Sequence, residues 1–126
     1  MVDRLELDRS ALGRRAEEAA ASFLEDGGFV VLGRNVRVSR LEIDIIARDG
    51  PVVAIVEVRT RSEGAWVRAM DTLDWRKKAR LRSAGTALWR ARFKQDPTLE
   101  RMRFDVIGVS FDERGRATCE HVKAAF

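Results

Sequence analysis

Leu41-Glu42-Ile43-Asp44-Ile45-Ile46, followed after a turn by Ile55-Val56-Glu57-Val58-Arg59, is the stretch of sequence that decides the fold. Side chains two residues apart share a face of a strand. Two strands are therefore predicted in which Glu42 lies with Asp44, and Glu57 with Arg59, among Ile and Val residues that favour burial. Three carboxylates and a cation on an apolar ribbon are costly unless they are paired or bind a metal.

Outward from this pair, Asp49-Gly50-Pro51 reads as the turn between strands Leu41–Arg48 and Val52–Thr60. The second strand is almost continuously apolar, as expected of one buried on both faces. Upstream, Phe29–Leu32 and Asn35–Val38 read as extended. Ser10 is the expected cap of a helix ending near Asp26, before Gly27-Gly28. Its apolar stripe is Leu12, Ala16, Ala20, Phe23 and Leu24, which turns Glu17 toward the sheet and Glu18 toward water.

Downstream, Arg61–Leu73 reads as a mobile loop with Gly64 and Trp66, the latter as an anchor or a ligand contact. A helix is predicted from Asp74 to Phe93, with Leu81, Ala84, Leu88 and Ala91 buried and Lys77 on the same side. Asp96-Pro97 stops it. Strands Phe104–Phe111 and Ala117–Val122 finish the chain. The order α-β-β-β-α-β-β predicts an α/β fold, a mixed sheet flanked by helices.

Composition narrows the class. The chain has 126 residues, 45% hydrophobic and 35% charged, enough for a single domain with one core over residues 1–126. Residues 1–9 are expected to form a flexible N-terminal segment. No apolar run is long enough to span a membrane, and the first residues lack the apolar centre of a signal peptide. One cysteine, Cys119, excludes an internal disulfide and a zinc cluster, so the cytoplasm is the expected compartment. The net charge is only +4, but no acidic residue occurs between Trp75 and Gln95. Arg76, Lys77, Lys78, Arg80, Arg82, Arg90, Arg92 and Lys94 all fall there, a field suited to nucleic acid. A solvated helix face is the plainer reading of such a run.

Placed at facing positions of a hairpin, Asp44 and Glu57 could share one divalent cation. Mg²⁺ takes one or two carboxylates together with waters and phosphate oxygens, and it would activate a bound water. Arg59 would then sit beside a phosphate and stabilise developing charge. Glu17 could hold a second metal or orient a water. The spacing alone, an aspartate followed after twelve residues by Glu-x-Arg, is weakly specific. Purely structural salt bridges from Asp44 and Glu57 to Arg59 and Arg61 are the competing account, although such buried pairs add little net stability. Among the aromatics, Trp89 and Phe93 are expected to pack together, and packing is also favoured for Trp75 over stacking on a base. Cys119 reads as a small buried side chain, and His121 receives no role.

Several segments match in register: Gly13-x-x-Ala16-Glu17-x-x-Ala20-x-x-Phe23-Leu24, Gly28-Phe29, Arg34-Asn35, Glu42-Ile43-Asp44-Ile45-Ile46, Val56-Glu57-Val58-Arg59-Thr60-Arg61, Lys77, Leu81 and Arg103-Phe104-Asp105-Val106-Ile107. Together they resemble the YraN-like family of small bacterial proteins. That family is similar in fold to Holliday-junction resolvases and the restriction-endonuclease superfamily. The resemblance implies a restriction-endonuclease-like sheet and a Mg²⁺- or Mn²⁺-dependent nuclease acting on DNA, with branched DNA the special expectation.

By the same resemblance Asp44 and Glu57 would be the metal ligands and Glu17 an added helical carboxylate. Arg61, Arg76, Lys77, Lys78 and Arg80 are the expected nucleic-acid contacts, and the analogy with resolvases admits a homodimer. Two departures stand out. Leu41 replaces a usual glycine, and Arg59 occupies the place of the motif lysine. Arginine does not deprotonate and cannot be a general base, which leaves Lys77 as a candidate migrated lysine. A catalytically impaired nucleic-acid-binding module and a protein-interaction module are the alternatives.

Overall fold

The computed structural model describes residues 4–60 and 73–126, with side chains in the first helix from Ala11 onward. Helix α1 (Arg4–Asp26) is followed by strands β1 (Val30–Val38), β2 (Leu41–Asp49) and β3 (Val52–Thr60). Helix α2 (Trp75–Leu88), strand β4 (Arg101–Phe111) and strand β5 (Ala117–Val122) complete the chain. The fold is thus α/β in the predicted order. α1 begins at Arg4, so Ser10 lies within it. The Leu, Glu and Arg residues of this stretch favour helix and contain no breaker. Residues 1–3 and the expected loop with Arg61, Gly64 and Trp66 lie outside the described residues.

The five strands lie side by side in chain order, β1-β2-β3-β4-β5. β3 and β4 are parallel and every other neighbouring pair is antiparallel, giving a mixed sheet. Gly50, at φ +57, turns β2 into β3, a backbone state that glycine enters without a Cβ penalty. The two extended pieces predicted around residues 29–38 are one strand, whose register slips between Val31 and Gly33. A bulge of this kind keeps a strand paired while bending it.

Two apolar layers sandwich the sheet. On one side Ala16, Ala20 and Leu24 of α1 pack on Ile45, Ala54, Val56, Ile107 and Val109. On the other Leu81, Ala84 and Leu88 of α2 pack on Ile43, Ile46, Val53 and Ile55. Full burial of each Val, Leu or Ile is worth roughly 1.5–3 kcal/mol, so β3, buried from Val52 to Glu57, is the spine of the core. Leu12 and Phe23, expected in the α1 stripe, are more than a third exposed at its rim. Gly85 brings α2 close to β4, where a Cβ would stand 2.9 Å from the Phe104 ring.

α2 does not run unbroken to Phe93. Trp89–Phe93 form a π turn, closed by the Lys94 N–H donating to the Trp89 carbonyl at 2.8 Å. The wider turn changes the helical phase. Ala91, expected in the buried stripe, is therefore exposed, while Trp89 and Phe93 pack on the core with ring centroids 6.3 Å apart.

Candidate functional site

Strand β2 breaks its own alternation at Asp44. Ile43 belongs to the α2-side core, whereas Ile45, two residues on, belongs to the α1-side core. The ladder between β2 and β3 ends at the same point, with Ile45 opposite Val56. Continued by one step, it would place Asp44 opposite Glu57. Instead the Asp44 side chain stands in for the missing strand contact, its Oδ2 accepting the Val58 N–H at 2.8 Å. The two strands part around a carboxylate.

Glu57 points into this gap from β3 and is 5% exposed. Its Oε1 is 3.7 Å from Lys77 Nζ, which reaches in from the first turn of α2, and 3.8 Å from Arg59 Nη1. With both acids ionised, Glu57 Oε2 has no hydrogen-bond partner among the described residues. Burial, reinforced by the charge of Asp44, pushes the Glu57 carboxyl up to about 7. Asp44 is also raised, chiefly by burial, against the Val58 N–H and the Lys77 charge that favour its ionised form. Burial thus disfavours ionising both acids at once.

Glu17 enters from α1, facing the sheet as its place on the helix predicts, while Glu18 is exposed. Its carboxyl is raised by burial and then by the Asp44 charge. Between Glu17 and Glu42 stands Asn35. With its amide nitrogen turned toward the acids, it donates to Glu17 Oε2 at 2.8 Å and to Glu42 Oε1 at 2.9 Å. Asn35 has φ +51, a left-handed backbone state that Asn tolerates better than most residues. The sequence reading gave Asn35 no role, although an asparagine inside an otherwise β-prone stretch is a signal in itself.

Asp44, Glu57, Arg59, Lys77 and Glu17 are thus gathered at the open end of the β2–β3 pair. Among the described residues no three His, Cys, Asp or Glu side chains form a set able to hold a metal ion unaided. Glu17 stands beside the pair without completing a trio of ligands. Asp44 and Glu57 nonetheless fit one divalent cation, whose remaining positions would fall to water and phosphate. A buried carboxylate oxygen without a donor, and two acids whose ionisation is opposed chiefly by burial, are what such an ion would relieve.

Of the basic residues named from sequence, Arg76 and Arg80 are exposed and Lys77 and Lys78 half-buried. Trp75, expected to pack, is 71% exposed, with the Arg76 guanidinium 5.3 Å from its ring centroid. A groove of about 710 Å³ runs along α2 between Arg80 and Ala84 on one side and Arg40 and Leu41 on the other, apart from the carboxylates.

Away from this site a second buried acid is fully satisfied. Asp105 accepts two bonds from Arg103, at 2.8 and 2.9 Å, and one from the Ala124 N–H at 3.0 Å. His121 Nε2 lies 2.8 Å from its other oxygen. Although burial opposes ionisation, the His121 and Arg103 bonds together hold its carboxyl down at about 2. His121, left without a role by the sequence, fastens β5 and the C-terminal turn to β4. Cys119 is half-buried against the α1-side core, its thiol raised by burial.

Comparison of the sequence with known proteins places the chain among relatives. Residues 16–109 match the family described as "Uncharacterised protein family UPF0102". The chain is 56% identical over 118 residues to a UPF0102 protein of Sorangium cellulosum, covering 94% of this chain and 82% of the relative. It is 40% identical over 119 residues to one from Pelotomaculum thermopropionicum, covering 94% and 97%. With one from Nocardia farcinica it shares 38% identity over 119 residues, covering 94% and 91%. No helix among the described residues is long and apolar enough to cross a membrane.

Proposed function

The chain belongs to UPF0102, the YraN-like family, and from that membership and the site's geometry we propose a metal-dependent endonuclease of the cytoplasm that hydrolyses DNA, branched DNA in particular. The observation that supports this most is the pairing of half-buried Asp44 with buried Glu57 at the point where β2 and β3 part, with Lys77 and Arg59 against the same Glu57 oxygen. A purely structural core would gain little from two acids whose ionisation burial opposes.

Asp44 and Glu57 would hold Mg²⁺ or Mn²⁺, which would supply a Lewis acid to the phosphate and lower the pKa of a bound water. The chain's own groups do the rest. The Val58 N–H fixes the Asp44 carboxylate, and Asn35 holds Glu17 and Glu42 in place behind it. Arg59, permanently charged, is suited to clamp the phosphate and offset its growing charge. Lys77 brings a second cation to the same point, where its charge favours the ionised forms of Glu57 and Asp44. The Lys and Arg residues along α2 would hold the flanking phosphates.

The test is cleavage of labelled duplex, single-stranded, flap and four-way-junction DNA with Mg²⁺, Mn²⁺ or EDTA, wild type beside Asp44→Asn. Metal-dependent cuts that vanish in the variant are expected. Equal cutting by Asp44→Asn would overturn the assignment. Binding without cuts would favour a recognition module in which Arg59 marks lost chemistry. Absence of binding at moderate salt would favour an interaction protein.

A further inference from the structure

Trp75 is exposed although the residues around it are tied down. Leu73 is 3% exposed. The Asp74 carboxylate caps the helix, accepting the Lys77 N–H at 2.8 Å, and Lys77 itself turns inward to Glu57. The indole therefore projects to solvent from a fixed first turn, within two residues of a side chain that touches the acidic pair. Tryptophan is the largest apolar side chain, and 71% exposure forfeits most of what its burial would contribute. Arg76 lies over its ring, and Lys78 and Arg80 follow in a run of sequence that lacks acids from Trp75 to Gln95.

We infer that Trp75, backed by Arg76, is a stacking platform for an unpaired base, so that the site takes nucleic acid with unpaired nucleotides beside the phosphate under attack. A grip on phosphates alone needs Lys and Arg and has no use for an exposed indole. A closed duplex offers base edges and phosphates, its π faces being already stacked. An unpaired nucleotide offers a free face to the ring and a phosphate to the neighbouring cations. The position of the attacked phosphate rests on the nuclease reading, whereas the stacking contact stands apart from cleavage.

Binding in EDTA separates the two. Fluorescence anisotropy would be read on a fluorescein-labelled oligonucleotide, single-stranded or annealed as a blunt duplex, with wild type, Trp75→Ala and Trp75→Phe. Loss of roughly tenfold in affinity for the single strand is expected of Trp75→Ala, with most of it restored in Trp75→Phe and the duplex little affected. Equal loss on both substrates, or no loss on either, overturns the platform. If wild type cuts DNA while Trp75→Ala binds as wild type does, the platform fails and the nuclease stands. If the selective loss appears but nothing is cut, base stacking stands and the nuclease reading fails.

Discussion

Replacing Glu57 by Gln should make the protein more stable at alkaline pH. In the native state the Glu57 carboxyl is raised from 4.5 to about 7 by burial and by Asp44. Below pH 4.5 it is protonated whether the chain is folded or not, and its ionisation has no effect on folding. Between 4.5 and 7 the unfolded chain releases the proton while the folded chain keeps it, so stability falls as pH rises. Above 7 the loss is complete. At 1.36 kcal/mol per pH unit the interval amounts to about 3 kcal/mol, a shift in Tm of about 10 °C for a chain of this length. Glutamine keeps the shape and removes the titration. Thermal unfolding in EDTA should show Glu57→Gln close to wild type at pH 4.5 and about 10 °C above it at pH 8. Equal destabilisation of the variant at both pH values would refute the account, since Glu57 would then be stabilising as an ion-pair partner of Lys77 and Arg59.

Other outcomes follow from the same geometry. Lys77→Met removes a charge that favours ionised Glu57 and Asp44, so the alkaline loss of stability should steepen; on the nuclease proposal, the pH at which cleavage rises should also move upward in a pH–rate profile. Asn35→Ala would strip the donor from Glu17 and Glu42 and place alanine at a left-handed φ; a loss of about 1–3 kcal/mol in urea unfolding is expected. His121→Ala would withdraw one of four bonds from the ionised Asp105, destabilising the fold by about 1.5–3 kcal/mol while leaving nucleic-acid binding unchanged by anisotropy.

Much of this architecture is legible in the sequence because it rests on short periods. Alternation and near-continuous Ile and Val residues mark β2 and β3, and spacing on α1 turns Glu17 inward. What escaped does so for physical reasons. The π turn changes the helical phase after Leu88, so extrapolating the α2 stripe misplaces Ala91. Trp75 is assigned to packing on hydrophobicity, but its position on the helix sends it outward. Asn35 and His121 meet their partners across strands, at separations that no local pattern encodes. The convergence of Glu57, Asp44 and Lys77 is partly foreseen, since a facing pair and an inward lysine are each readable. The break at Asp44, which lets one acid sense both layers, is visible only in three dimensions.

Strand order that follows chain order has a consequence for how the molecule assembles. β1, β2 and β3 pair by short local connections, whereas β4 must return across residues 61–100 to lie beside β3. Closing that longer connection is slower than forming the meander. Glu17, Glu42, Asp44 and Glu57 all precede it, while Lys77 arrives with it. On the ribosome, then, the four acids and Arg59 leave the exit tunnel before Lys77, and the counter-ion carried by α2 reaches them last.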